Sequence, residues 1–138
     1  MDIIPANVTR ALTLELIEAG GAATPLDAVL SYDASDPYAV AARFTVAGNT
    51  VRWVFARSLL ATGVFEPAGE GDVQVWPCLN ARGQAVTVIE LSSPEGQALI
   101  QARSDEVYEF LRRAEALVAA GAEATYIDID GTIAKLLG

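Results

Sequence analysis

Histidine is absent from the sequence, and cysteine occurs only once, as Cys78. Without histidine the chain lacks the commonest general base, the usual catalytic triads and the ligand present in most zinc sites. A single cysteine excludes an intrachain disulfide and gives no sign of an oxidising compartment. Triad hydrolases and most zinc proteins are therefore excluded.

Positive charge and long apolar runs are also scarce. Lys135 is the only lysine, and 18 acidic residues against 9 basic ones give a net charge of −9. Such a chain repels nucleic acid and anionic lipid as a whole, because both are bound chiefly through lysine and arginine. No apolar run approaches the ~20 residues needed to cross a bilayer, and Met1-Asp2-Ile3 lacks the basic start of a signal peptide. The expectation is a soluble cytoplasmic protein, and any partner is expected to be locally basic.

Apolar residues are abundant but occur in short, patterned segments. They make up 52% of the 138 positions, enough for a single domain spanning residues 1–138 to bury a core. Residues 38–46 and 51–55 each place an apolar side chain at every second position, which is typical of half-buried strands. Gly48-Asn49 between them tolerates positive φ, so the two runs predict a β-hairpin. The inward set comprises Tyr38, Val40, Ala42, Phe44, Val46, Val51, Trp53 and Phe55.

The residues that follow this hairpin predict a short helix. Residues 57–62 are rich in helix formers, and Gly63 stands where a left-handed C-terminal stop is expected.

Five further strands are predicted on either side of the hairpin and helix. Gly20-Gly21 separates the first two, and a glycine-rich loop precedes the third, which Pro77 is expected to end. The fourth is apolar on both parities, which predicts a strand covered on both faces. The predicted segments are residues 8–17, 26–33, 73–76, 86–91 and 97–102.

The clearest helical stripe covers residues 107–118, where apolar side chains recur at spacings of three and four. Ser104 is a good N-cap, Asp105 and Glu106 suit the positive end of the helix dipole, and Gly121 predicts the end of the helix.

Two short elements are predicted after this helix. Residues 124–127 predict a brief extended segment. Asp128 or Asp130 is predicted to cap a final short helix. The elements together predict an α+β fold: a mostly antiparallel sheet or open barrel of six to seven strands, one long helix and one or two short ones.

Asp128-Ile129-Asp130-Gly131-Thr132 resembles the DxDGT loop of haloacid dehalogenase-type phosphatases, where the two aspartates serve as nucleophile and acid/base beside magnesium. That loop should precede a whole catalytic domain, whereas only six residues follow Thr132. A calcium loop also fails, because the glycine comes too early and the final glutamate is missing. Helix capping by Asp128 or Asp130 is the preferred interpretation.

Three other polar or reactive positions have simpler interpretations as structure. Asp33 and Asp36 could act as paired carboxylates or bind a cation, but they flank a Ser-Asp-Pro turn. Gly69-Glu70-Gly71-Asp72 lacks the lysine and hydroxyl of a phosphate loop and predicts a turn. Cys78 lies beside a proline with no activating partner, which favours a small apolar role. No catalytic, cofactor-binding or metal-binding residue is assigned.

Two residue sets raise the possibility of binding. Trp53 and Trp76 could stack on bases with arginines nearby, which is the best argument for single-strand nucleic-acid binding, although Trp53 shares the core parity. The charges along the long helix could face a partner, but a solvated helix face gives the same pattern. The arginines of the first set are Arg52, Arg57 and Arg82; the helix charges are Glu106, Glu109, Arg112, Arg113 and Glu115.

The chain as a whole resembles the SsgA-like sporulation and cell-division proteins of actinomycetes, with the SsgB-like subgroup favoured. The match spans nearly the full length, and the order and spacing of its blocks are specific. The blocks are Tyr32-Asp33, Asp36-Pro37-Tyr38-Ala39-Val40, Trp53-Val54-Phe55-Ala56-Arg57 with Leu59-Leu60, Gly71-Asp72-Val73, Val75-Trp76-Pro77, Leu91-Ser92-Ser93-Pro94-Glu95-Gly96 and Phe110-Leu111.

This resemblance implies a non-enzymatic regulator of sporulation-specific division without catalytic residues or cofactors. Members are thought to recruit the tubulin-like GTPase FtsZ, or to position the division machinery, at septum sites, so division proteins and other SsgA-like proteins are the expected partners. The family fold is similar to the whirly architecture, and a homo-oligomer, with a trimer as one form, is expected. Shared fold is not shared function. Single-stranded nucleic-acid binding is kept as the alternative, although the net charge of −9 opposes it.

Overall fold

The protein, seen in a computed structural model that describes residues 7–126, is built on one eight-stranded antiparallel sheet. Alternating apolar and polar residues form the strands, and the helices pack against the apolar face. The elements are β1 Asn7–Ile17, β2 Ala23–Asp33, β3 Ala39–Val46, β4 Asn49–Ala56, α1 Arg57–Gly63, β5 Ala68–Glu70, β6 Val73–Leu79, β7 Ala85–Ser93, β8 Gly96–Arg103, α2 Ser104–Leu117 and a 3₁₀ helix at Glu123–Tyr126.

The strand order, β4-β3-β2-β1-β8-β7-β6-β5, contains a repeat that was not recognised in the sequence. β1 to β4 form a meander that runs into α1, and β5 to β8 form a second meander that runs into α2. The two halves join where β1 pairs with β8, through only three residue pairs centred on Leu16 and Ile100. The sheet is therefore two four-stranded units placed side by side.

The predicted core parity is confirmed in the strands. Val8, Leu12 and Leu14 of β1 are buried, as are Leu26, Ala28 and Leu30 of β2. β7 is buried on both faces, as its double apolar parity predicts. The predicted stripe supplies fully or nearly fully buried side chains: Val107, Phe110, Leu111 and Ala114 of α2, and Val118 just after it.

The sheet curls around this core. Trp53 on β4 lines a concavity of about 270 Å³ together with residues of the β7–β8 hairpin, including Leu91 and Ala98. β4 and β8 are four positions apart in the sheet, which would be about 19 Å if the sheet were flat. The curled sheet agrees with the predicted open barrel, although it has eight strands where six to seven were predicted.

The extra strand is β5, and the same region holds a second correction. β6 does not end at Pro77 but continues to Leu79. Asn80 N donates to Gln84 O and Ser92 N donates to Asp72 O, so Pro77 belongs to a non-hydrogen-bonded pair with Thr87. Its missing N–H would point outward, beyond the last β5–β6 pair, where the ladder needs no donor.

The hairpin turn and the end of α1 also differ from the sequence predictions. Ala47 and Gly48, with φ of 48° and 81°, form the turn, while Asn49 already pairs with Val46. Tyr38, Val46 and Val51 are predicted to face inward but are exposed. Tyr38 precedes β3, Val46 lies next to the turn, and Val51 lies on β4, the outermost strand on its side of the sheet.

Gly63 is helical rather than left-handed. A Cβ on Gly63 would overlap Cγ1 of Val75, so this glycine allows close packing between α1 and β6.

Three corrections concern α2 and the chain after it. Ser104 provides no cap: its hydroxyl lies 2.9 Å from that of Thr87, which is fully buried. α2 ends at Leu117 because Val118 is extended, and Gly121, with φ of 90°, lies in the next turn. Residues 124–126 are 3₁₀-helical instead of extended. Residue 127, Asp128, Asp130 and the predicted final helix lie outside the described residues.

Candidate interaction surfaces

Arg57, the first residue of α1, is buried at the point where the two helices meet. Its guanidinium donates to the carbonyl oxygens of Val118 at 2.7 Å and Ala114 at 3.3 Å, which belong to the C-terminal turn of α2. It also pairs with the carboxylate of Glu123 at 2.9 Å. Arg57 therefore supplies a donor to the Val118 carbonyl and a second donor to the Ala114 carbonyl, which also accepts from Val118 N. It also brings positive charge to the negative end of the helix dipole.

Tyr32 extends this cluster to the β2–β3 connection. The Arg57 guanidinium carbon lies 4.8 Å from the centre of the Tyr32 ring, and the Tyr32 hydroxyl donates to the carbonyl of Pro37 at 2.9 Å. Burial raises the pKa of Tyr32, partly offset by the nearby Arg57 charge. Tyr32, Pro37 and Arg57 thus join both meanders through interior contacts.

The interior position of Arg57 changes the interpretation of the sequence pattern. Arg57 was grouped with arginines that could contact nucleic acid, but its side chain is only 4% exposed. Tyr32, Pro37 and Arg57 are also among the residues on which the family resemblance was based, so that part of the pattern reflects folding. A single basic residue at the first position of a short helix does not signal such a role in sequence alone.

Three of the charged residues of α2 contact β1, a central strand of the sheet, rather than face a partner. Arg10 on β1 lies 3.6 Å from Glu106 and 3.3 Å from Glu109, and Arg113 donates to the carbonyl of Thr9. These contacts attach α2 to β1, each with the modest strength of a partly exposed pair. Arg112 and Glu115 remain exposed.

The tryptophans and arginines proposed for base stacking do not assemble into one site. Trp53 packs partly buried against the core, as its parity predicted. Trp76 has the opposite parity to buried Val75 and pairs with Val88, on the face away from the helices. Arg82 lies in the turn between β6 and β7. No shared stacking platform results from these residues.

The acidic motif forms a turn, as predicted, but the glycine-rich motif does so only at Gly71 and Asp72, because Gly69 and Glu70 belong to β5. The carboxylate of Asp33 accepts hydrogen bonds from the backbone N–H and hydroxyl of Ser35, which lower the pKa of Asp33. Gly71, with φ of 59°, turns the chain from β5 into β6. Cys78 is exposed. Within residues 7–126, no group of three or more acidic or cysteine side chains could hold a metal ion.

An exposed aromatic pair stands on the helical side of the molecule. Phe65 follows α1 and is 72% exposed, and Tyr108 on α2 is 46% exposed. Their rings meet edge to face, with centroids 6.1 Å apart and planes at 84°. Aromatic side chains of this kind are enriched in the centres of protein interfaces. We call Phe65 and Tyr108 the aromatic pair.

A second feature lies on the opposite side of the sheet. Arg43 on β3 and Arg52 on β4 are directly opposite each other, and both have the parity that faces away from the core. Exposed Val29 and Val54 lie beside them on the same face. Among the described residues neither arginine has an acidic partner within ion-pair distance. We call this the arginine face.

The sequence analysis missed both surfaces as sites. Tyr108 lies between apolar stripe positions of α2, and nothing near Phe65 in sequence indicated that the two rings would meet. Arg52 was considered only with the tryptophans, because the exact strand register that places it beside Arg43 was not predicted. Within residues 7–126, no helix is long and apolar enough to cross a membrane.

Comparison with known proteins gives the family. The family model described as "Streptomyces sporulation and cell division protein, SsgA" matches residues 26–123. The sporulation-specific cell division protein SsgB of Frankia casuarinae is 44% identical over 138 residues, covering 99% of this chain and 96% of that protein.

Two solved structures share the fold. The SsgA-like sporulation-specific cell division protein of Thermobifida fusca matches with a TM-score of 0.86 and 43% identity, covering 98% of each chain. Streptomyces coelicolor SsgB matches with a TM-score of 0.82 and 47% identity, covering 87% of this chain and 94% of that one. With its curled antiparallel sheet and two helices, the chain belongs to the SsgA family of sporulation and cell-division proteins and is of the SsgB type.

Proposed function

We propose that this chain acts, as one domain over residues 1–138, as an adaptor that recruits or positions the division machinery at septum sites during sporulation. FtsZ is the proposed partner, together with other SsgA-like proteins. The adaptor works without catalytic turnover, in the cytoplasm at the division septum, as a homo-oligomer such as a trimer. The SsgB-type relatives of nearly equal length, named for sporulation-specific cell division, support this role.

The observation that carries the proposal is the aromatic pair. Phe65 and Tyr108 are exposed but held by packed elements, because α1 and α2 contribute Leu60, Val107 and Leu111 to the core. A rigid, exposed aromatic side chain loses little conformational entropy when a partner covers it. The aromatic pair therefore has the properties of a protein-docking site.

The test is co-sedimentation of purified protein with FtsZ from the same organism. Tyr108→Ser removes half of the aromatic pair, and Tyr38→Ser is a matched control because Tyr38 is 50% exposed in the β2–β3 connection. We expect the wild type and Tyr38→Ser to sediment with FtsZ, and Tyr108→Ser to bind at least about tenfold more weakly, as for an interface hot spot.

Two results would contradict this proposal. Failure of the wild type to sediment with FtsZ removes FtsZ as a direct partner. If Tyr108→Ser binds as well as Tyr38→Ser, or if it dissociates the homo-oligomer instead, the aromatic pair is not the docking site for FtsZ.

Single-stranded nucleic-acid binding is the less supported function. Trp53 and Trp76 lie on opposite sides of the sheet, and the Arg57 guanidinium is buried and hydrogen-bonded to carbonyls at the end of α2. The net charge of −9 adds long-range repulsion. An oligonucleotide of about 20 deoxythymidines, run in a parallel cell at low salt, is expected not to sediment with the protein.

A further inference from the structure

The outer edge of β4 is open among the described residues, because β4 ends the strand order on that side. The turn at Ala47-Gly48 has two residues, so Val46 and Asn49 form the hydrogen-bonded pair that closes it. Arg57 N donates to Tyr38 O at 2.7 Å, which fixes the same alternation at the other end. The backbone groups of Thr50, Arg52 and Val54 therefore face away from β3 and are free to pair with another strand.

Arg43 and Arg52 are directly opposite each other in a non-hydrogen-bonded pair of this hairpin, where side chains approach most closely. Like charges in that position destabilise a hairpin. The pair is unusual in a chain that carries only nine basic residues against 18 acidic ones. Asp27 lies near Thr45 at one end of the arginine face, and Asp33 and Asp36 share a concavity with Arg52 at the other. Two positive charges thus remain together between exposed valines.

We propose that the edge of β4 accepts an extended acidic segment of a protein partner as an added strand. The segment's backbone pairs with Thr50, Arg52 and Val54, and its carboxylates, on the arginine face, pair with Arg52 and Arg43. Strand addition of this kind takes affinity from main-chain hydrogen bonds and specificity from alternate side chains. The inference rests on the proposed adaptor role. It also specifies an acidic partner segment, whereas the net charge alone predicted a basic partner.

Two other occupants fit the arginine face less well. A second copy pairing through its own β4 edge would bring four arginines onto one sheet face, because each hairpin contributes Arg43 and Arg52. Single-stranded nucleic acid needs aromatic side chains for its bases, whereas Val29, Val54 and Ala41 surround the arginines. An acidic polypeptide satisfies both the charge and the free backbone groups.

The experiment uses a fluorescein-labelled peptide of about nine residues with alternating Glu and Thr, long enough to span β4, measured by fluorescence anisotropy. A peptide with Lys in place of Glu is the charge control. Arg43→Gln/Arg52→Gln is compared with Arg82→Gln/Arg112→Gln, a matched variant that loses the same two charges from exposed positions elsewhere. Val54→Pro removes an outward N–H without removing a bond to β3, and its thermal unfolding is followed to establish that it is folded.

We expect the wild type and Arg82→Gln/Arg112→Gln to bind the Glu peptide equally within about twofold. Arg43→Gln/Arg52→Gln should bind at least about tenfold more weakly, and with a weaker dependence on salt. Val54→Pro should also weaken binding while the charges stay in place. Equal binding by the two double variants, binding of the Lys peptide, or unaltered binding by Val54→Pro would each overturn the inference.

Two parallel measurements separate the other occupants and the proposed function. Binding of an oligonucleotide of about 20 deoxythymidines that depends on Arg43 and Arg52 would assign the site to nucleic acid, and self-association that depends on them would assign it to a second copy; either overturns the inference. Wild-type sedimentation with FtsZ without any Glu-peptide binding rejects this inference but keeps the adaptor role. If the protein binds the Glu peptide but does not sediment with FtsZ, this inference is kept and FtsZ is rejected as the direct partner.

Discussion

Replacement of Arg57 by methionine tests whether the buried guanidinium holds the two halves of the sheet together. Methionine keeps most of the apolar stem of the side chain but leaves the carbonyl of Val118 without its side-chain donor, while the carbonyl of Ala114 keeps its bond from Val118 N. A buried polar group deprived of its partner costs about 1–3 kcal/mol. The lost contact with the Tyr32 ring adds about 0.5–2 kcal/mol.

The free energy of unfolding should therefore fall by about 1.5–5 kcal/mol, which is the sum of these two contributions. Glu123 contributes less to this sum, because its side chain is 17% exposed and can be solvated once Arg57 is gone. For a chain of this size the loss corresponds to a decrease in Tm on the order of 10 °C. The free energy of unfolding of Arg57→Lys should lie between those of the wild type and Arg57→Met. An ammonium keeps the positive charge but cannot donate to two carbonyls and a carboxylate with the geometry of a guanidinium fork.

The assay is thermal and urea unfolding followed by circular dichroism, with Arg112→Met as the matched control. Arg112 is an exposed arginine on the helix that Arg57 caps, and surface changes of this kind usually alter stability by less than about 0.5 kcal/mol. If Arg57→Met and Arg112→Met unfold at the same urea concentration, the Arg57 cluster does not contribute the stability argued here.

Two further predictions concern the packing and the pH dependence of the same region. Gly63→Ala should lower the free energy of unfolding by at least about 1–3 kcal/mol because its Cβ would overlap Val75, and Val75→Ala in the same chain should recover part of that loss; purely additive effects would contradict the close-packing role. Hydrogen bonds from its own backbone N–H and from the Arg57 guanidinium lower the pKa of Glu123, so its stabilisation is present above the ordinary glutamate pKa of about 4.3 and is lost as the pH falls through the lowered value. Urea midpoints of the wild type and Glu123→Gln should therefore differ near neutral pH and converge as the pH falls through the lowered pKa of Glu123, and a constant difference would refute this.

Sequence reasoning identified the regular elements because side-chain periodicity reports directly on burial. The alternation in β1 to β4 and the spacing along α2 gave the correct faces for Leu12, Phe44 and Phe110. The errors came from residues whose usual structural preference was overridden by their neighbours in the fold. Pro77 continues a strand because its nitrogen faces an open edge, and Gly63 is required by Val75 rather than by its own φ.

The candidate surfaces were less predictable than the fold, since each depends on residues that are distant in sequence. Phe65 meets Tyr108 only because α1 and α2 pack side by side. Arg43 meets Arg52 only in the register set by the two-residue turn, and a shift of one residue would move either side chain to the other face. No local pattern could reveal Arg57 as a cap for a helix that ends sixty residues later.

The two-meander topology has a consequence for the order in which the chain folds. Within each meander every strand pairs with its sequence neighbour, so both halves can form through short loops, which is fast. The β1–β8 seam joins residues about 85 positions apart, such as Leu16 and Ile100, through three pairs only. Closing that long loop is the slow, entropically costly event, and the Arg57 cluster, which also joins the two halves, depends on the same closure. The halves are thus expected to behave as separate cooperative units in hydrogen exchange, with the seam opening before either meander unfolds.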